Sequence, residues 1–373
     1  MPFCRARCAY CGFHSHPLGP GAPESPLLES YTGALMREME ARSGEAGGLA
    51  FDTLYFGGGT PSLLSPEKLN ALMIKMRSLY NLDRESEITL ECNPEDCSRE
   101  RIEAYRDCGI NRIVLGVQTL NGRLRDRIGR RGPLCGRELL EEFFGVPGIT
   151  HCLDLIIGLP GQSDRELEED LQGVLRFRPR HISAYLLSVE EGTPLAGTLD
   201  RRSGALDRQR EALAQTMERF TSAGYEHYEV SNYALPGYRS RHNLKYWKFL
   251  PYLGYGPSAH SFFRGERWGN LCSWEDYLAD PAGCLVRDER SLSAAAVEYL
   301  FTSLRLREGM SLEEYRRVLG IPLDASVGER MERALARGFL ERENRRGDTL
   351  YRLTDEGLFI MDAVIYGIVE PLL

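Results

Sequence analysis

The stretch from Phe51 to Ser62, FDTLYFGGGTPS, decides how the chain is read. Its first six residues form an apolar run that predicts a strand, and three consecutive glycines break it. Gly57, Gly58 and Gly59 remove side chains, so a backbone can approach a ligand closely. A tight strand-to-helix turn is the simpler reading. No Lys-Ser/Thr follows, so the stretch is not a P-loop. SPEKLNALMIKMRSLY comes next, with Ser65 as helix cap and Pro66 at the first helical position.

Outward from this unit the pattern repeats. SEITLEC (86–92), RIVLGVQ (112–118), HCLDLIIGLP (151–160) and HISAYLL (181–187) predict further strands. Between them lie segments of helical period, including SRERIEAYRDCG, which begins at Ser98 and stops at Gly109. SDRELEEDLQGVLRFRP and LDRQREALAQTMERFTSAG continue the theme. Strand alternating with helix implies a parallel sheet covered by helices, with chemistry at the carboxyl ends of the strands. Buried parallel strands should be nearly all apolar, yet Glu91, Gln118 and Asp154 sit in or at the ends of three of them. Several polar residues at equivalent places argue for one shared ligand.

Composition limits what that ligand is. The chain has 373 residues, with 46 Lys plus Arg against 54 Asp plus Glu, a formal charge of −8. A mildly acidic chain is not built to wrap a polyanion, so nucleic acid is not an expected partner. No apolar run approaches the roughly 20 residues needed to span a bilayer, and Met-Pro-Phe-Cys does not open a signal peptide. The cytoplasm is the expected compartment, and there disulfides are disfavoured. Of the 10 cysteines, Cys92, Cys97, Cys108, Cys135, Cys152, Cys272 and Cys284 have no ligand spacing and are read as small, mostly buried hydrophobes. Cys4, Cys8 and Cys11 differ, because gaps of three and two residues let one loop aim three sulfurs at a common point. A zinc site would need His14 or His16 as fourth ligand. Three thiolates alone suit an iron–sulfur cluster with one iron left open.

Taken in order, C-x-x-x-C-x-x-C, GGGTPS, ECNPED, GVQTLN, DLIIGLPGQ, HYEVSNYALPGYRSRHNLKYW and YLGYGPSAHS resemble the radical SAM enzymes, and more narrowly the group around the oxygen-independent coproporphyrinogen III oxidases. The resemblance implies an α/β fold, a partial (β/α)6 barrel. Cys4, Cys8 and Cys11 would hold a [4Fe–4S] cluster whose open iron binds S-adenosylmethionine. It also implies that Tyr10 lies near the adenine, that Gly58, Gly59 and Thr60 present backbone to the methionine end, and that Glu91 accepts from the ribose. Arg130 would pair with a carboxylate, with Arg131 as its rival, and Gln118 and Asp154 would also contact S-adenosylmethionine. A second S-adenosylmethionine in such a site is left open.

Two features separate branches of the group. The oxidases resemble C-x-x-x-C-x-x-C-x-C, whereas this chain has Phe13 at the fourth position, as the HemW-like haem chaperones do. HNLKYW, His242 to Trp247, matches that branch's H-N-x-x-Y-W motif, which implies haem at His242 as cargo. Imidazole can ligate haem iron, and Tyr246 and Trp247 can cover a porphyrin face. From residue types alone, His242 in a structural hydrogen bond and core aromatics is the other reading, and His260 is a further candidate. The expected function is a haem chaperone that hands haem to a membrane or respiratory acceptor, at most peripheral at the membrane. An oxidative decarboxylase of coproporphyrinogen III and another radical reaction such as methyl transfer are the alternatives.

The expected organisation is a barrel over 1–235, a connecting segment over 236–288 that carries HNLKYW, and a small winged-helix-like domain over 289–373. That last part is read as helices, a hairpin turning at Arg346-Gly347-Asp348, and one closing helix, DEGLFIMDAVIYGIV. Similar proteins carry a strand directly before Pro-Phe-Cys, so the barrel's first strand is expected to be missing here.

Overall fold

The structure is a computed structural model describing residues 1–197, 205–345 and 347–373. Two short strands, β1 (Phe3–Cys4) and β2 (His16–Pro17), pair in parallel at the mouth of a larger sheet. The predicted strands follow as β3 (Ala50–Phe56), β4 (Asn81–Cys92), β5 (Arg112–Gln118), β6 (Thr150–Ile157) and β7 (His181–Leu186). These five are parallel neighbours in chain order. Two antiparallel strands, β8 (Glu226–Glu229) and β9 (Asn232–Ala234), complete a curled half-barrel in the order β3-β4-β5-β6-β7-β9-β8. β3 is the edge, and among the described residues no strand pairs with its outer side.

Helices α1 (Pro26–Arg42), α2 (Pro66–Leu79), α3 (Arg99–Asp107), α4 (Gly122–Arg127), α5 (Arg137–Phe144), α6 (Asp164–Leu175) and α7 (Ala205–Ser222) connect or cover the strands. Their starts are chemically marked. Ser65 and Ser98 accept from Lys68 N and Arg101 N, and Ser163 forms a full capping box with Glu166. Strand residues alternate between two faces. Leu90, Ile113, Leu115, Leu153 and Leu155 turn outward into the helix-covered core. Burial of each such side chain stabilises the fold by roughly 1.5–3 kcal/mol. The intervening positions, Glu91, Val114, Gly116, Asp154 and Ile156, face the barrel interior. Pleat periodicity thus puts the polar strand residues on the concave side.

After α8 (Arg241–Trp247), a second antiparallel sheet is formed by β10 (His260–Phe263), β11 (Glu266–Asn270) and β12 (Leu285–Asp288), with α9 (Trp274–Ala279) between the last two. This segment corrects the reading of two cysteines. Cys272 and Cys284 form a disulfide rather than standing as isolated buried thiols. The pairing of β11 with β12 sets Asn270 opposite Leu285, and Leu271 N donates to Cys284 O at 3.0 Å, which brings the two thiols together. Cys92, Cys97, Cys135 and Cys152 are buried as expected, while Cys108 is half-buried.

The remaining chain forms α10 (Leu292–Ser303), β13 (Met310–Ser311), α11 (Leu312–Leu319), α12 (Ala325–Ala336), the hairpin β14 (Leu340–Arg345) and β15 (Asp348–Leu353), α13 (Asp355–Phe359) and α14 (Met361–Val369). A sheet of order β13-β15-β14 packs on helices around Leu300, Met310, Met331 and Ile365, a winged-helix-like arrangement. Arg346, in the expected turn, lies outside the described residues. The expected single closing helix is two, broken at Ile360 (φ −127°, ψ 32°). Thr354 pins the first turn to the hairpin, with N donating to Phe339 O and Oγ1 to Gly338 O. Among the described residues no helix is long and apolar enough to cross a membrane.

Candidate functional site: a cysteine loop over the barrel mouth

The three cysteines sit on a loop tied down at several points. Phe3 is fully buried beside Tyr31 and Trp274. Arg5 makes a bidentate pair with Asp96 at 2.6 and 2.8 Å, and Asp96 also accepts from Ser62 Oγ at 2.8 Å. Cys11 N donates to Cys8 O, closing the turn that carries the last two thiols.

The glycine run has a structural duty that its sequence does not reveal. A Cβ on Gly58 would lie 2.8 Å from Met1 O, and one on Gly59 would lie 2.5 Å from Phe3 O. The glycines therefore admit the backbone that carries the cysteine loop. Their amides are engaged as well. Gly59 N donates to Met1 O, Thr60 N to Phe3 O, and Gly58 N to Glu91 Oε2. Gly57 O accepts from the Met1 amino group at 3.1 Å, so what this turn can still offer a ligand is the carbonyl oxygen of Gly58 and Gly59.

Cys4, Cys8, Cys11, Tyr10, Gly58, Gly59, Thr60, Glu91, Gln118, Arg130 and Asp154 all line one cavity of about 810 Å³. Thr60 Oγ1 donates to Cys4 Sγ at 3.2 Å, and Arg130 Nη1 lies 3.9 Å from Cys8 Sγ. Burial pushes the thiols of Cys4 and Cys11 upward. Arg130, not the exposed Arg131, enters the cavity; its guanidinium meets the Tyr10 hydroxyl at 3.1 Å, and Asn93 Oδ1 and Gly116 O at 2.9 Å each. Asn93 does not stand out in the sequence, although it closes a chain from Arg130 to Thr60 Oγ1 at 3.1 Å. Its signal is the ECNPED stretch itself, where an amide follows the interior Glu91.

Gln118 reaches the cavity through a backbone irregularity. The β5–β6 register shifts between Gly116 and Gln118, and Gln118 has φ +66°. Such a conformation costs a non-glycine residue on the order of 1–3 kcal/mol and concentrates at functional sites. Two carboxylates complete the wall. Glu91 accepts from the Tyr55 hydroxyl at 2.7 Å, and burial pushes it up to about 7. Burial pushes Asp154 up to about 6, and its Oδ1 has no hydrogen-bond partner within the protein. A buried acceptor without a donor marks a place for a ligand's donor.

His242 lies apart from this cavity. It lines a neighbouring groove of about 430 Å³, which shares Phe13, Gly58 and Pro61 with the first. Its Nδ1 is 2.9 Å from Thr53 Oγ1 and its Nε2 2.8 Å from the Tyr246 hydroxyl. Burial lowers its pKa to about 4, so the ring is neutral. Trp247 instead carries the Arg305 guanidinium over its ring, at 4.5 Å from the centroid. His260 lines the same groove and is exposed.

Residues 1–173 match the radical SAM superfamily, and residues 291–360 match the HemN C-terminal domain. A protein of Mycobacterium tuberculosis named "Heme chaperone HemW" is 34% identical over 382 residues, covering 98% of this chain and 92% of that one. The protein of the same name from Escherichia coli is 32% identical over 345 residues, covering 91% and 90%. Among solved structures, coproporphyrinogen III oxidase (HemN) from Escherichia coli, a radical SAM enzyme, superimposes with a TM-score of 0.81 over 99% of this chain and 88% of that one. At 18% identity that likeness carries the fold.

Proposed function

The chain belongs to the radical SAM superfamily, in the HemW-like branch of the oxygen-independent coproporphyrinogen III oxidase group, and from that membership we propose that it is a haem chaperone. It holds a [4Fe–4S] cluster on Cys4, Cys8 and Cys11, binds S-adenosylmethionine beside it, takes up haem at His242 and passes it to a membrane or respiratory acceptor. The observation that carries the cofactor part is the single cavity in which the three thiols face Glu91, Arg130 and the orphaned Asp154 oxygen.

Held by Cys4, Cys8 and Cys11, a [4Fe–4S] cluster would leave one iron for the amino and carboxylate groups of S-adenosylmethionine and would supply the electron that reduces its sulfonium. Everything else falls to the protein. The carbonyls of Gly58 and Gly59 accept from the hydrogens of the ligand's amino group, since the neighbouring amides and Gly57 O are already engaged. Arg130 supplies a fork of donors to the carboxylate end. Glu91, steadied by Tyr55 and Gly58 N, accepts from the ribose hydroxyls, and Tyr10 lies against the adenine. Asp154 and Gln118 accept and donate deeper in the barrel. Phe13 stands where a fourth thiol would be, 63% exposed and shared by both cavities.

For haem, the neutral imidazole of His242 is the form that ligates iron. Both ring nitrogens are engaged, Nδ1 by Thr53 and Nε2 by Tyr246, so iron has to displace one of the two hydroxyls while the other steadies the imidazole. The test is anaerobic reconstitution with S-adenosylmethionine, followed by haem and coproporphyrinogen III offered in separate samples. Stoichiometric haem binding with a Soret shift, lost in His242→Ala while the variant keeps its cluster, is expected. Formation of protoporphyrinogen, or a zinc ion on the three cysteines, overturns the reading.

A further inference from the structure

β3 carries Thr53 and Tyr55 two residues apart, on one face of the strand, and both meet His242. Thr53 touches Nδ1, while the Tyr55 ring stacks on the imidazole with centroids 5.0 Å apart and planes at 25°. The same Tyr55 donates its hydroxyl to Glu91 Oε1 at 2.7 Å. Burial raises the phenol well above its usual range, so it stays a donor. One rigid side chain thus joins the histidine of the groove to the carboxylate of the cluster cavity.

We infer that Tyr55 is a positioning residue that couples the two sites, so that iron on His242 weakens S-adenosylmethionine binding at Glu91, and the reverse. The inference rests on the haem and S-adenosylmethionine reading above. Both nitrogens of His242 are engaged, so its ring can take iron only by releasing the Tyr246 hydroxyl or Thr53 and turning. The Tyr55 ring is stacked on the imidazole at the wall of the groove, so a turn of the imidazole shifts Tyr55 with it. Its hydroxyl then leaves the line to Oε1, and Glu91 keeps only the bond from Gly58 N at 3.1 Å. A carboxylate that has lost a donor is less well placed, and its proton is held more tightly. Linkage makes the effect reciprocal: whatever haem does to S-adenosylmethionine affinity, S-adenosylmethionine does to haem affinity.

The experiment measures the dissociation constant of S-adenosylmethionine on the reconstituted full chain, with and without haem, for the wild type and for Tyr55→Phe. The phenylalanine keeps the ring stack and removes only the hydroxyl. In the wild type, haem is expected to weaken S-adenosylmethionine at least about fivefold, with an equal effect of S-adenosylmethionine on the haem titration. In Tyr55→Phe both ligands still bind and the two titrations become independent. An unchanged or tightened constant in haem-loaded wild type, or a wild-type-sized shift that survives in Tyr55→Phe, overturns the coupling. If the variant is unstable, an unshifted constant in the reciprocal wild-type titrations still overturns the coupling. A wild-type protein that fails to bind haem or S-adenosylmethionine at all overturns the functional reading, and the coupling falls with it.

Discussion

Glu91 is ringed by groups with opposed effects. Burial raises it to about 7, while the Tyr55 hydroxyl and Gly58 N favour its ionised form. A ribose hydroxyl is best accepted by the carboxylate, so S-adenosylmethionine affinity should rise as pH climbs through 7 and level off above it. Between pH 6 and pH 8 the ionised fraction grows about tenfold, and a dissociation constant measured by equilibrium dialysis should fall by a similar factor. Glu91→Gln should flatten that profile and, at pH 8, weaken binding by about 1.5–3 kcal/mol, the usual contribution of a hydrogen bond to a charged group. A wild-type profile flat from pH 6 to 8 would show that binding does not depend on ionisation of Glu91 in that range. Glu91 and Asp154 stand out in the sequence because a carboxylate in a buried strand needs a reason. Asn93 does not, because an asparagine just past a strand end is ordinary turn chemistry.

At the scale of elements, the turns after β3 and β4 position the cysteine loop. Asp96, wholly buried, gathers Arg5 of the cysteine loop, Ser62 of the turn after the glycines, and Arg101 of α3 at 3.5 Å. Asp96→Ala leaves the Arg5 guanidinium without its partner and takes the counter-charge from Arg101, which keeps Tyr105 and Ser62 O. Because both arginines keep some exposure, the loss belongs near the low end of the range for breaking a buried pair, about 3 kcal/mol in urea unfolding. The reconstituted variant should also lose its iron–sulfur absorbance faster on chelator challenge. Arg5→Met should be milder, since Asp96 keeps Ser62 and Arg101. Equal cluster lifetimes in wild type and Asp96→Ala would show that the loop is held by other contacts. Helix caps at Ser65, Ser98 and Ser163 are legible in the sequence because capping depends on neighbours along the chain. The break at Ile360 is not, because no glycine or proline stands at that point to mark a helix end.

Across the whole molecule, α1 is joined to the segment around 254–277 by a buried polar knot. Glu38 accepts from Arg42 (2.5 Å), Asn270 Nδ2 (2.7 Å), Gly256 N (2.8 Å) and the Tyr277 hydroxyl (2.5 Å), and Arg42 reaches Gly254 O at 2.9 Å. These contacts hold β11 and the chain leading to His260 against the barrel. Removing the carboxylate in Glu38→Ala leaves Gly256 N and the Tyr277 hydroxyl without an acceptor, while Arg42 keeps Glu45 and Asn270 keeps Gly256 O, so stability should fall by about 1–3 kcal/mol for each stranded donor. Limited proteolysis should then open the 254–277 region before the barrel. Resistance there equal to wild type would mean that apolar contacts alone hold the segment.

The sequence by itself determined the parallel sheet, the cysteine trio and the strand carboxylates, because each depends on local period, spacing or cap chemistry, while the curling of that sheet into a partial barrel was implied by the family resemblance. Pleating alone sends Glu91 and Asp154 inward once the strands are known. Only the tertiary structure decided between Arg130 and Arg131, paired Cys272 with Cys284 through the register of β11 and β12, and turned Gly58 and Gly59 into the slot for the N-terminal backbone. It alone also stacked Tyr55 on His242, 187 residues away in sequence (242 − 55 = 187), while its hydroxyl held Glu91. Such contacts arise where separate elements meet at the sheet edge, and no local pattern along the chain encodes where two distant surfaces will touch.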